Sequence, residues 1–550
     1  MFRISLSAPK KIPWRAWGYY CFGAAIAVSL WHTLWFSDGL VNGRGFGLLG
    51  RFLQASIQPD LSSEFLQIVA SATLTTFAYA VCGTFISLIF GFVGGLLSAK
   101  IVWRSLFPRQ SLVIWQSTRS ILAIPRAIHE LVWGLILINI WGLDSLVALG
   151  AIALPFGAIV SKVFAEILDE TPRKGFDALI VAGVHPAQAM LYGLLPQALF
   201  NLLSYGFYRF ECSLRSAAVL GIIGAGGLGY EIFLSLQSLR YEQLWTLFYA
   251  LITLNAVVDW SSGFLRRKLG CTSRLDLNTK QYQVNFQKRN WLIGTILGTL
   301  GLVSWGFWFI RPDWQRLWSR QTASFLGEIA SQLQQFEFDR ALLIDLFWLS
   351  VQTLEMSILA IALAGVGGFI LAFCAAEIFK ANPNQSQFVS KIPRYFSRLI
   401  LLICRGIPAP IWALVILFIM FPGILPGAIA LGIHNLGVLG RLMTEVIENL
   451  EREPIEALSQ LGSPQSSVFL YGVVPMTLPN FVAYTFYRWE VCLRETVIVG
   501  LVGAGGLGRL LTEQLSSFDY AGVLLTLVCF LLLTQFVDQF SALLRRKLDP

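Results

Sequence analysis

Two arginines and a glutamate stand close together in an otherwise apolar stretch. Arg209, Glu211 and Arg215 lie in Tyr205-Gly-Phe-Tyr-Arg-Phe-Glu-Cys-Ser-Leu-Arg215, and Gly224-Ala-Gly-Gly-Leu-Gly229 follows. The set returns as Arg488, Glu490 and Arg494 in Tyr484-Thr-Phe-Tyr-Arg-Trp-Glu-Val-Cys-Leu-Arg494, before Gly503-Ala-Gly-Gly-Leu-Gly508, a shift of 279 residues (503 − 224). Over the 25 positions from Tyr205 to Gly229, 14 are identical at that shift without a gap, where chance gives roughly one or two from ordinary residue frequencies. A guanidinium offers a planar fork of donors that matches an oxyanion bidentately. On a helix Glu211 and Arg215 share a face, as do Glu490 and Arg494, with the acid on the favourable N-terminal side. Arg209 and Arg488 fall on another face. If the helix starts near Gln197, Arg209 lies about 18 Å along it at ~1.5 Å per residue, near the bilayer middle. Ionisable groups there face a cavity or each other. Two readings follow: an ion pair that only orders the helix, or arginines that line a pathway for anions. Arg126 and Arg405 carry the same two readings nearer the cytoplasmic side.

The remaining chemistry is sparse. Eight cysteines (Cys21, Cys82, Cys212, Cys271, Cys374, Cys404, Cys492, Cys529) show no C-x-x-C spacing and read as small apolar residues in buried positions. The histidines His32, His129, His185 and His434 form no metal-type cluster. No catalytic set, cofactor or metal is expected. The chain has no G-x-x-x-x-G-K-[ST] sequence, so no P-loop for a nucleotide is expected in it. Both glycine clusters satisfy G-x-G-x-x-G, but a dinucleotide fingerprint needs a preceding strand and a βαβ setting. Here the flanks are apolar and helical. Gly224, Gly226, Gly227 and Gly229, with Gly503, Gly505, Gly506 and Gly508, read instead as helix ends on the external side, where glycine permits a sharp turn and close backbone approach.

The elements that must position these residues are membrane helices. Charged residues make up only 13% of the 550 and hydrophobic ones 55%, with a mean hydropathy of +0.64, and several apolar runs reach the ~20 residues that cross a bilayer. Irregular backbone cannot face lipid, so the fold class is all-α and polytopic. The net charge of +9 does not point to nucleic acid. The basic residues collect in alternate loops, the pattern of the positive-inside rule. Spans are expected over about 17–36, 66–97, 121–141, 143–162, 197–220 and 244–264, and again over 291–310, 342–375, 400–421, 424–441, 477–500 and 522–544, about six per half. Lys10, Lys11 and Arg15 put the N-terminus in the cytoplasm, and no small-residue cleavage site follows the first span, which reads as retained. Lys100, Arg104, Arg109 and Arg119 make a basic cytoplasmic loop. Arg266-Arg267-Lys268 closes the first half, and Arg545-Arg546-Lys547 matches it at the same shift. The domains are therefore residues 1–265, a basic linker over 266–290 (with Arg274, Lys280, Lys288 and Arg289), and residues 291–550. An even number of spans per half makes this a parallel repeat with a pathway expected between its halves.

The polar cytoplasmic loops carry a second repeat. Asp177-Ala178-Leu leads to Gly183 and closes at Leu195-Pro196. Glu456-Ala457-Leu leads to Gly462 and closes at Val474-Pro475. Both run 19 residues from acid to proline. The acidic end suits a short helix, the glycine a turn with φ > 0, and the proline the start of the next helix.

This pattern resembles the EAA loop of ABC importer permeases, with Asp177 in place of the motif's Glu. Tyr-Arg-Phe-Glu followed by the glycine cluster, and Arg126-Ala-Ile-His-Glu-Leu-Val-Trp133, resemble the PhnE-type permeases of phosphonate and phosphite importers. The likeness covers nearly the whole chain, once per half, as if two permeases were fused. It implies tandem type I ABC importer transmembrane domains in a bacterial inner membrane, with both termini cytoplasmic. It also implies a separate cytoplasmic ABC ATPase dimer, docked at Asp177–Gly183 and Glu456–Gly462, and a periplasmic or lipid-anchored substrate-binding protein. It suggests a gate-proximal place for the glycines. The halves are not equivalent: the second copy of the third-span stretch reads Arg405-Gly-Ile-Pro-Ala-Pro-Ile-Trp412, so His129 and Glu130 align with Pro408 and Ala409. A twelve-span secondary transporter, and an importer for another small solute such as methionine, remain as alternatives. A membrane enzyme lacks a catalytic set.

Overall fold

The computed structural model describes residues 17–35, 41–43, 45–106, 111–269, 286–334, 340–377 and 387–545. Lys10, Lys11, Arg15, Arg109, Cys271, Arg274, Lys280, Arg546 and Lys547 lie outside the described residues, as does most of the linker. In chain order the α-helices are α1 (Trp17–Trp35), α2 (Gly45–Ala55), α3 (Ser63–Ser98), α4 (Lys100–Leu106), α5 (Ser111–Ala127), α6 (Glu130–Trp141), α7 (Ser145–Glu170), α8 (Lys174–Val181), α9 (Pro186–Ala189), α10 (Leu195–Leu220), α11 (Leu228–Gln237) and α12 (Tyr241–Leu269). They continue as α13 (Phe286–Ile310), α14 (Arg320–Gln334), α15 (Arg340–Ala375), α16 (Gln387–Gly406), α17 (Ala409–Ile416), α18 (Ile424–Glu448), α19 (Arg452–Gln460), α20 (Gln465–Val468), α21 (Val474–Val499), α22 (Gly506–Ser516) and α23 (Tyr520–Arg545). Eight helices among the described residues are long and apolar enough to cross a membrane, or up to eleven if each bent pair counts as one span.

Two of the expected spans are broken. The third is α5 followed by α6 at an angle of 86°, and its repeat is α16 followed by α17 at 96°. The fifth is unbroken as α10, and the chain bends by 55° past its end, at the glycine cluster, into α11. An apolar run reads the same straight or bent, so hydropathy alone could not reveal the breaks.

Contacts divide the chain into two compact units. The first comprises residues 50–336 and 515–523. Its core gathers Tyr79 of α3, Ile152 and Phe156 of α7, and Leu214 and Leu220 of α10. Helix α3 lies so close to α7 that a Cβ on Gly91 would stand 2.2 Å from Val160 Cγ1, the small-residue contact that membrane helices favour. Although α13 opens the second sequence repeat, it belongs to this unit. Gly306 sits on Cys82 of α3, Phe307 and Ile310 join the core, and Ser145 Oγ donates to the Ile310 carbonyl at 2.9 Å.

The second unit comprises residues 1–49, 337–514 and 524–550. Met356 of α15, Ala413 of α17, Leu431 of α18, and Cys492 and Val499 of α21 form its core. Here the added helix is α1. Phe22 meets Phe486 and Trp489 edge-on at 5.1 and 5.2 Å, and His32 Nδ1 lies 3.0 Å from Glu355 Oε2. The first helix of each sequence repeat thus packs with the other repeat's helices, so packing groups and the repeats 1–265 and 291–550 do not coincide. Cys82 and Cys492 are buried, but Cys374 is exposed, which its apolar sequence surroundings did not suggest.

Candidate translocation and coupling sites

The two glutamates of the repeated motif are met from the last helix of each half. Glu211 Oε1 accepts from Ser262 Oγ at 2.6 Å and from Arg266 at 2.8 Å, both on α12. Glu490 Oε1 accepts from Arg545 of α23 at 2.6 Å. The partners are 55 residues away in both cases, so the arrangement repeats. The arginines four residues on are engaged otherwise: Arg215 lies 3.5 Å from Cys212 Sγ, and Arg494 Nε donates to the Glu490 carbonyl at 3.2 Å. Arg266 therefore does more than add to a basic cluster; it neutralises a buried acid.

Arg209 and Arg488 occupy the same place on α10 and α21 but in different surroundings. The Arg209 guanidinium lies over the Phe156 ring, 4.3 Å from its centroid, a cation–π contact. Arg488 donates through Nε to Asn435 Oδ1 and through Nη2 to Glu495 Oε1, the latter at 2.6 Å. Asn435 Nδ2 in turn donates to Glu495 Oε2 at 2.9 Å. Glu495 was not singled out by the repeat because its counterpart at the 279-residue shift is Ser216. Ser216 Oγ donates to Glu130 Oε1 at 2.6 Å, and His129 Nδ1 lies 3.2 Å from Glu130 Oε2.

The break before α6 positions Glu130. His129 caps the new helix, its Nδ1 accepting from the Leu131 N–H at 3.3 Å. Pro408 takes this place before α17 without a side-chain cap. Trp133 Nε1 donates to the Pro125 carbonyl at 3.3 Å, and Trp412 Nε1 donates to the Cys404 carbonyl at the same distance. Both carbonyls lie just before the breaks, and a helix end leaves such groups unsatisfied. Arg126 and Arg405 end α5 and α16 beside the breaks; Arg405 is buried.

The glycine clusters end the long helices and turn the chain into α11 and α22. Gly224, Gly226 and Gly227 have φ of +96°, +86° and +78°, and Gly503, Gly505 and Gly506 have +104°, +85° and +70°, conformations that glycine alone enters without steric cost. Gly229 and Gly508 are small for another reason. A Cβ would come within 1.7 Å of the Ala218 carbonyl oxygen at Gly229 and 2.4 Å of the Val497 carbonyl oxygen at Gly508. The turn is latched to α3 in the first half and to α15 in the second, each time by a threonine. Thr76 Oγ1 accepts from the Leu228 N–H at 2.8 Å while donating to the Ala72 carbonyl. Thr353 does the same for Leu507 at 2.9 Å while donating to the Leu349 carbonyl. Single threonines in apolar helices are common, so only the fold exposes these two.

The acid–glycine segments form short helices joined to the long ones. Asp177 and Ala178 lie exposed on α8, as Glu456 and Ala457 do on α19. Gly183 and Gly462 turn with φ of +82° and +79°. Phe176 and Ile455, one residue before each acid, are buried and anchor the short helices. Pro196 and Pro475 are the second residues of α10 and α21, each following a π-helical turn, Met190–Leu194 or Phe469–Val473, from which the helical stretch continues without a break. The wider turn accommodates a residue that lacks an N–H. Apolar side chains remain exposed beside these segments: Val181 (88%) and Tyr192 (73%) in the first half, Leu461 (81%) and Tyr471 (74%) in the second. Tyr192 and Tyr471 stand 279 residues apart, inside the π turns.

Comparison with known proteins agrees with this duplicated architecture. The family described as binding-protein-dependent transport system inner membrane component matches residues 91–270 and again 378–550. The chain is 25% identical over 528 residues to the phosphate-import permease protein PhnE of Mycolicibacterium smegmatis, covering 95% of this chain and 93% of that protein. It is 34% identical over 196 residues to the phosphite transport system permease protein PtxC of Stutzerimonas stutzeri, 36% of this chain and 68% of that one. It is 35% identical over 118 residues to a putative cryptic phosphonate transport system permease protein of Escherichia coli (strain K12), 22% of this chain and 97% of that one. The chain belongs to the binding-protein-dependent transport system inner membrane components and carries the family's domain twice.

Proposed function

We propose that this chain is the permease of an ABC importer for phosphonate, phosphite or a related phosphorus oxyanion. It is itself no enzyme; a separate cytoplasmic ATPase dimer hydrolyses ATP, and a periplasmic or lipid-anchored binding protein delivers the anion. It sits in a bacterial inner membrane with both termini in the cytoplasm. The observation that carries this reading is the continuity of one helical stretch in each half. Residues Pro186–Ala225 run from the acid–glycine loop past Arg209 to the glycine turn, and Gln465–Ala504 run likewise past Arg488. An ATPase engaging Asp177, Ala178 and Gly183, or Glu456, Ala457 and Gly462, can push on this helix near Pro196 or Pro475. The displacement reaches the arginine and the glycine turn directly. Arg209, Glu211 and Arg215, with Arg488, Glu490 and Arg494, form the polar walls that the anion passes, and Gly224–Gly229 and Gly503–Gly508 hinge the gates. Because Glu211 and Glu490 are already neutralised by Arg266 and Arg545, they leave the charge of the motif's arginines in place, and each wall stays attractive to an anion. A twelve-span secondary transporter would have no use for the acid–glycine loops.

The test is uptake of phosphite by the complete importer carrying Arg209→Gln together with Arg488→Gln/Glu495→Gln, so that Glu495 is not left as an unpaired buried charge. Assembly with the ATPase should persist while uptake falls by about tenfold or more, the loss of roughly 1.4 kcal/mol of transition-state stabilisation. Undiminished uptake would remove the arginines from the pathway.

A further inference from the structure

Among the positions where the two halves differ at the 279-residue shift, four form a set whose differences compensate. The first half has His129, Glu130, Phe156 and Ser216; the second has Pro408, Ala409, Asn435 and Glu495. Each half has one carboxylate among these positions, supplied by different helices. In the first half it arrives on α6, and Glu130 Oε1 accepts from Ser216 Oγ at 2.6 Å. In the second it grows from α21 at the position equivalent to Ser216. There Glu495 accepts from Arg488 and Asn435. The side chains of Glu130 and Glu495 are equally enclosed, each 12% exposed. The neighbour on α7 or α18 changes in step. Asn435 donates one amide N–H to Glu495 and accepts from Arg488, whereas Phe156 offers Arg209 an aromatic face. Identity between the repeats would pass over this set, because no residue in it is shared.

We propose that each half requires one carboxylate at this point on α10 or α21, that Glu130 and Glu495 are positioning residues fulfilling the same role from different helices, and that they temper the positive field of Arg209 and Arg488. A lone guanidinium enclosed by apolar helices is expensive and would hold an oxyanion too long. A second carboxylate would repel it. One carboxylate leaves the weak attraction that a conducted anion needs. The phosphite-uptake arm of the test rests on the oxyanion reading above; the melting arm does not.

The experiment compares Glu130→Ala, Glu130→Gln, Ser216→Glu and the double variant Glu130→Ala/Ser216→Glu, which moves the first half's carboxylate to the position it holds in the second. Thermal unfolding is measured on the full-length permease. Phosphite uptake is measured on the permease with its ATPase and binding protein in proteoliposomes. Glu130→Ala should lower the melting temperature and reduce maximal uptake severalfold with a smaller KM, the signature of a retained anion. Glu130→Gln should show the same kinetic change although its shape is conserved. Ser216→Glu should raise KM. The double variant should recover melting temperature and both kinetic constants toward wild type. A double variant that melts no higher than Glu130→Ala overturns the proposal. Uptake kinetics of Glu130→Gln like those of wild type would also overturn it. If the wild-type importer takes up no phosphite, the cargo reading fails alone, and the melting series still decides the carboxylate exchange.

Discussion

The Arg488 guanidinium and the Glu495 carboxylate meet at 2.6 Å, seven residues apart on α21, with Asn435 of α18 bonded to both. The side chains are 13% and 12% exposed, so each charge depends on the other for compensation. Removing one partner of a buried pair leaves the other uncompensated, at a cost of roughly 3–5 kcal/mol, whereas replacing both by apolar residues is often close to neutral. Glu495→Ala should therefore lower the unfolding midpoint markedly. Arg488→Met/Glu495→Met should restore most of the loss, as measured by thermal unfolding in detergent.

The threonine latches make a contrasting prediction. Thr76→Val removes the acceptor of the Leu228 N–H, and Thr353→Val that of Leu507, while filling nearly the same volume. An unsatisfied buried donor costs about 1–3 kcal/mol. Hydrogen exchange should quicken at residues 226–230 in Thr76→Val and at 505–509 in Thr353→Val. Serine at either position keeps the hydroxyl and should retain protection.

Two kinds of glycine separate under the same substitution. Gly229→Ala drives a Cβ to 1.7 Å from the Ala218 carbonyl oxygen, and backbone must move. Gly183→Ala meets nothing within 4 Å and bears only the strain of φ +82°, roughly 1–2 kcal/mol. Gly229→Ala should fail to accumulate as a folded permease. Gly183→Ala should fold, with faster exchange confined to the turn after α8. Equal accumulation of the two proteins would contradict the close approach at Gly229.

Tyr192 and Tyr471 test the docking surface without disturbing the fold. Both are about three-quarters exposed within their π turns, so alanine there should change stability by no more than about 0.5 kcal/mol. Co-purification of the ATPase should nonetheless fall about tenfold for each, as expected when an aromatic anchor of an interface is truncated. Normal co-purification would place the ATPase contact elsewhere on the chain.

Much was legible from residue order alone. Apolar runs separated by basic loops determined an all-helical membrane protein. The 279-residue repeat determined a duplication, and the acid–glycine–proline spacing located the loops that Phe176 and Ile455 anchor. These are local properties, set by composition and by what one turn of helix demands. Partners and directions came only from tertiary packing. Glu211 finds Arg266 rather than relying on the arginine one turn along its own helix, because α12 runs against α10. The third span bends by 86° because Trp133 and His129 satisfy the groups that the break exposes. The first helix of each repeat packs with the other repeat's helices because the small surface at Gly306 fits against Cys82 and Phe22 fits between Phe486 and Trp489. The exchange of Glu130 for Glu495 was hidden for the same reason. The sequence records which residue each helix carries, but only the assembled helices bring two different positions to one place.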